Sequence, residues 1–203
     1  MDAQTDRIAR EAARLLALKQ VESIDAAISR AMEYTPHDDV HRPGEGRVRQ
    51  HLQAMTMQAL GEAGYQDALV RRLESIEQLM TTFGELTDDV EPILAGRAAR
   101  GLFDGPSAIY IRLYTDRSDT ELLDVLALYD YPEARVETVD TQHGRANRLV
   151  FDDDDLSFVL TRCPRRWRAD ADRQLVDGSP IDTADLDAVR AMISQARINQ
   201  ARP

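Results

Sequence analysis

Gly96, Arg97, Arg100, Gly101, Ser107 and Arg112 are the residues in this chain whose types and spacing best suit phosphate chemistry. They lie in the stretch LAGRAARGLFDGPSAIYIRLYTD, where a glycine, a basic spacer and a second glycine lead through a turn into an alternating apolar run. Guanidinium groups present a fixed fork of donors that matches phosphate oxygens. A second basic group, TRCPRRWRAD, gathers Arg162, Arg165, Arg166 and Arg168 around Trp167, the single tryptophan. That combination suits a phosphate or a stacked base, and equally a loop whose arginines pair with the abundant aspartates.

The remaining reactive side chains point less clearly to a reaction. Asp152, Asp153, Asp154 and Asp155 form the densest acidic run, which reads either as a cation site or as a solvated hairpin turn. His37 and His41 stand four apart in a loop-like segment with no cysteine or further histidine beside them, and Asp38 and Asp39 would complete a site only by accident of folding. Cys163 precedes a proline and would need a distant histidine to act as a nucleophile. Walker A, nucleophile-elbow and dinucleotide fingerprints are absent from the sequence.

The elements that would position these groups follow from periodicity. Ile8, Ala12, Leu15 and Leu16 fall on one face of a helix with Thr5 as its expected cap, and Val21, Ile24, Ile28 and Ala31 mark a second. A loop holds Pro36, Pro43, Gly44 and Gly46. Val48, Leu52, Met55 and Ala59 mark a third helix, expected to close near Gly61 and Gly64. Leu69, Leu73, Ile76, Met80 and Phe83 form the seam of a fourth, too short a repeat for a dimerising coiled coil and suited to packing within the chain.

From Asp88 the texture changes to VEPILAGRAARG and SAIYIRLYT, which read as strands. A helix capped by Ser118 or Asp119 follows, then the strands ARVETVDT, ANRLVFD and LSFVLTR. A last helix is expected to be capped by Asp182 or Thr183. Clustered strands between helices predict an α+β fold with a mixed or antiparallel sheet. The expected division is a helical region over 1–62 and an α+β domain over 63–203.

The run from Gly96 to Leu113 resembles the nucleotidyltransferase fold of the DNA polymerase β superfamily. In that resemblance Gly96 to Gly101 is the loop that touches a nucleotide triphosphate, and Ser107-Ala108-Ile109-Tyr110-Ile111 is the strand that carries Asp-x-Asp. RLVFDDDDLSFVL is the later hairpin, with Ser157 in place of a third carboxylate. Two-metal transfer needs hard oxygen ligands. Residues two apart on a strand share a face, so Ile109, Ile111 and Leu113 are expected to face the core and Ala108, Tyr110 and Arg112 the site. An alanine, a neutral phenol and a cation do not hold magnesium.

The resemblance therefore implies a catalytically degenerate member that keeps a nucleotide or phosphate pocket, with no catalytic residue. Magnesium would enter only if Asp152–Asp155 were recruited. The alternative is a non-enzymatic interaction scaffold using the helical region as its partner surface, and a third reading is an active transferase with relocated carboxylates. The segments IAREAARLL and DGSPIDTADLDAV also resemble those of a group of bacterial proteins, a likeness over most of the length that implies no reaction.

Composition bounds the partners. The chain has 203 residues and a formal charge of −11, which disfavours broad binding to nucleic-acid backbones. Of 25 basic residues only Lys19 is lysine, a skew expected from a GC-rich genome. No run is apolar enough for a bilayer, no signal-peptide pattern opens the chain, and one cysteine suits a reducing compartment, so the expectation is a cytoplasmic protein without membrane contact.

Overall fold

The computed structural model describes residues 3–21, 23–34, 41–103, 108–131, 133–154 and 156–200. The chain divides into two compact units, Met1–Asp67 with 104–107, and Ala68–Phe103 with Ala108–Pro203. The helical segments are α1 (Ala3–Ala17), α2 (Ile24–Glu33), α3 (Glu45–Leu86), α4 (Asp119–Leu128) and α5 (Leu186–Gln200). The strands are β1 (Glu91–Ala95), β2 (Ile109–Tyr114), β3 (Arg135–Thr141), β4 (Gly144–Asp153), β5 (Leu156–Cys163) and β6 (Thr183–Ala184). Short 3-10 turns η1 (Arg97–Arg100) and η2 (Arg165–Asp170) follow β1 and β5.

In the first unit, α1 and α2 approach closely because their facing residues are small. Ala9, Ala12, Ala13, Ala27 and Ala31 are all fully buried, with Ile8, Leu15, Ile28 and Val48 filling the core around them. Thr5 is not the cap of α1. It lies inside the first turn, where its hydroxyl donates to the His41 carbonyl at 3.2 Å. An ion-pair cluster fastens α1 to the start of α3: Asp6 accepts from Arg47 at 2.6 Å and meets Nε2 of His51 at 3.0 Å. Those hydrogen bonds, that of His51 first, hold the Asp6 carboxyl below its ordinary value of 3.8.

The expected break between the third and fourth helices is confined to Gly61, whose φ of 71° and ψ of 169° interrupt an otherwise continuous helical run. Gly64 stays helical. The positive φ suits a residue without Cβ.

The second unit is built on one six-stranded mixed sheet in the order β3-β4-β5-β2-β1-β6. β2 runs antiparallel to β1 and parallel to β5, an arrangement that requires the α4 crossover between them. Ile109, Ile111, Leu113, Phe158 and Leu160 point to one face with Leu73, Ile76, Met80 and Phe83 of α3, Leu122 and Leu126 of α4, and Val189 and Ile193 of α5. Ser118 caps α4 in a reciprocal capping box with Glu121. Asp185, and not Asp182 or Thr183, caps α5 through its side chain to the Ala188 amide at 2.9 Å. Thr183 is drawn into β6, which pairs with Ala95 of β1.

Among the described residues of this unit, α3, α4 and α5 all pack on that first face and none of them on the opposite one. Part of it lies under η2 and the residues after it, where Trp167, Ala171 and Leu175 pack on Ile93, Tyr114, Ala146 and Cys163. Burial pushes the Cys163 thiol from its ordinary 9.0 up to about 12. The folded thiol therefore stays protonated while the unfolded thiol ionises above 9, so stability present below 9 is lost as pH rises toward 12. At pH 8 a thiol reagent is expected to leave native Cys163 unlabelled and to react with it promptly after denaturation, as a timed mass-spectrometric assay will read.

Candidate functional site

The site begins where β1 ends. Gly96 (φ 82°, ψ −153°) and Gly101 (φ 69°, ψ 23°) bracket η1 with backbone conformations that L side chains rarely adopt. Their amides are already committed: Gly96 donates to the Asp182 carbonyl at 2.8 Å and Gly101 to Ala98 at 2.9 Å. The corner is therefore held by its own backbone, with Arg97 and Arg100 exposed on it. Arg100 has Asp182 at 3.9 Å, and both side chains are more than half exposed, so the pairing is loose. Ser107 lies outside the described residues.

On its inner side the corner packs with the helix-bearing core, where Ala98 is buried and Gly101 lies against Met192 of α5; the sheet register defines the other face. Ile109 stands opposite Phe158 and Tyr110 opposite Val159. One step outward, the same register sets Ala108 beside Ser157, whose partner on β4 is Asp152. Paired residues share a face, so Ala108, Tyr110, Ser157 and Asp152 lie on the face opposite the α3, α4 and α5 core. Tyr110 is 45% exposed there, while Ile109 is 3% exposed on the other side.

Arg112 follows the same parity but has a different fate. It is 4% exposed, and its guanidinium donates to the Ala171 carbonyl at 2.8 Å, beneath the segment that covers the inner part of this face. It pins that segment to β2 instead of projecting to the Gly96 corner. The second arginine group disperses. Arg162 pairs with Asp119 at 2.9 Å on the helix side, and Arg168 pairs with Glu91 at 2.7 Å while lying 5.6 Å from the Tyr114 ring. Trp167 is buried.

The donor set does not fit a pair of magnesium ions. Among these four residues Ala108 has no ligand atom, Tyr110 is a phenol, Ser157 a hydroxyl, and only Asp152 is a carboxylate. Asp153 pairs with Leu156 and points the other way, and Asp155 is outside the described residues. Burial, then the charge of Asp154, raises the Asp153 carboxyl from its ordinary value. Among the described residues no group of three His, Cys, Asp or Glu side chains is placed to hold a metal. His37 is outside them. Among the described residues no helix is long and apolar enough to cross a membrane.

Sequence reasoning missed the Asp6–Arg47–His51 cluster. Its only local signal was the spacing of Arg47 and His51 by one helical turn, and Asp6 joins them from 45 residues away. It also missed a cavity of about 260 Å³ lined by Asp88, Asp89, Glu91, Tyr114, Arg165 and Arg168. Much of its charge is internally matched: Arg117 pairs with Asp89 at 2.6 Å beside the Arg168–Glu91 pair.

Compared with protein-family models and with curated proteins, the chain matches none.

Proposed function

We propose that this is a catalytically degenerate nucleotidyltransferase-like protein that binds a phosphate-bearing ligand, a nucleoside triphosphate first among them, at the Gly96–Gly101 corner. One observation carries the reading. The β2–β5 register, continued by one residue to set Ala108 opposite Ser157, puts Ala108, Tyr110 and Ser157, the positions to which the resemblance assigns three carboxylates, on one face of the sheet. The arrangement suits the inherited fold, and the side chains at those positions do not suit its metals. Arg97 and Arg100 supply the positive charge, Tyr110 an exposed ring, and Ser157 a hydroxyl. The bound ligand is held and not transferred.

The test is thermal unfolding with ATP, GTP, CTP or UTP, with and without magnesium or manganese. A ligand at a hundred times its Kd stabilises by about 2.7 kcal/mol, and the shift is expected to persist without metal and to shrink in Arg97→Ala/Arg100→Ala. No shift with any nucleotide removes the reading. A shift that requires magnesium and disappears on replacing Asp152 supports the transferase with relocated carboxylates.

The second reading, an interaction scaffold whose helical region is the partner surface, draws on exposed apolar residues in the first unit. Leu18 is 54% exposed, Tyr34 61% and Leu60 50%. Binding to no nucleotide would leave this reading standing.

A further inference from the structure

Strand β3 forms one edge of the sheet, and no described strand pairs with its outer side. It is seven residues long, contains neither proline nor lysine, and pairs with β4 without a bulge from Arg135–Val150 to Thr141–Gly144. The opposite edge, β6, is only two residues long. A two-residue hairpin loop closes on a pair that exchanges both backbone hydrogen bonds, and such pairs alternate along the ladder. Thr141, Val139, Glu137 and Arg135 therefore direct their amides to β4, and Asp140, Thr138 and Val136 direct theirs outward.

The side chains on this edge complement themselves. Arg135 and Glu137 stand two apart on one face, and neither has an ion-pair partner among the described residues. Arg148, the register neighbour of Glu137, makes no ion pair with it, and its Nε is buried without a partner. On the other face Val136 is 50% exposed, on the same side of the sheet as α4, where Leu128 and Tyr129 are 75% and 42% exposed.

We infer that β3 pairs antiparallel with β3 of a second copy of this chain, on a two-fold axis through Val136. A two-fold perpendicular to the sheet keeps each residue on its own face, so opposite partners must be an even number apart. Centred on Val136, the pairing sets Arg135 against Glu137 of the second copy and Glu137 against its Arg135. Val136 meets its own copy, and Ala134 meets Thr138. The outward amides of Val136 and Thr138 find carbonyl partners, and the two sheets become one. Two opposite-charge pairs and an apolar centre select this register; centring on Glu137 would set like charges together. The pairing does not depend on ligand binding.

The experiment is sedimentation equilibrium at an ionic strength near 0.15 M, where the Debye length is about 8 Å and repulsion between two copies of charge −11 is limited to short range. A reversible dimer is expected, twice the 22.8 kDa chain mass. Arg135→Glu and Glu137→Arg are each expected to weaken it by about tenfold or more, and the double swap to restore most of the affinity. Both positions are exposed, so circular dichroism should stay unchanged. A chain that is monomeric at every concentration overturns the proposal, as does a dimer that is indifferent to either single reversal or is not rescued by the double one.

Discussion

Phe158→Ala is expected to lower the unfolding free energy of the second unit by about 3–5 kcal/mol. The side chain is fully buried on β5, between β4 and β2 in the middle of the sheet. Its ring stacks on Phe151 at 5.4 Å between centroids, and Phe151 in turn meets Tyr131 at 5.6 Å. Truncation removes the transfer free energy of a ring and leaves a space that Ile109 and Phe151, fixed by strand pairing on either side, are poorly placed to fill. Phe158→Leu keeps most of the volume and should cost under about 1.5 kcal/mol. Urea titrations followed by the fluorescence of Trp167, which belongs to the same unit, measure the difference. Equal losses for alanine and leucine would show that the site collapses around the deletion and that close packing is not what makes the position sensitive.

The parts of this core that local pattern specifies were legible. Ile109, Ile111 and Leu113 alternate because a strand turns one face to the helices, and Leu73, Ile76, Met80 and Phe83 recur because a helix turns one stripe to the sheet. What could not be read was set by partners distant in sequence. β6 has two residues and exists because Leu94 and Ala95 offer an edge. Asp185 caps α5 because Thr183 and Ala184 are paired with that edge, which leaves Asp185 as the residue before the helix. The end of a helix expected near Gly61 was, by contrast, legible: its non-helical backbone separates two helices that follow one another directly.

The candidate site divides in the same way. Parity along β2 correctly separates Ala108, Tyr110 and Arg112 from the core-facing residues, and the glycine punctuation at Gly96 and Gly101 corresponds to two positive φ values. Nothing local indicates that the Gly96 amide is taken by the Asp182 carbonyl or that η2 folds over the inner half of the face. A strand pattern specifies which side a residue is on, and only tertiary structure decides whether that side meets solvent. Tyr110 and Arg112 share a side, yet one is 45% exposed and the other 4%.

That difference makes Arg112→Ala the second large expected effect, one in stability and not in ligand affinity. The guanidinium donates to the Ala171 carbonyl across 59 residues of chain, and its stem lies under the covering segment. Removing it orphans a buried acceptor, at about 1–3 kcal/mol, and deletes the packing of a long stem, for a total on the order of 2–4 kcal/mol. Arg112→Met restores much of the stem without the donor and should recover the packing part alone. Because Arg112 is turned toward Ala171 and not toward the Gly96 corner, nucleotide affinity of the folded variants is expected to stay within about twofold of the parent, whereas Arg97→Ala/Arg100→Ala should lose affinity at nearly unchanged stability. Denaturant titrations and direct binding measurements on the same variants separate the two effects. A loss of affinity in Arg112→Met as large as that in the double variant would place this arginine in the ligand site and not beneath it.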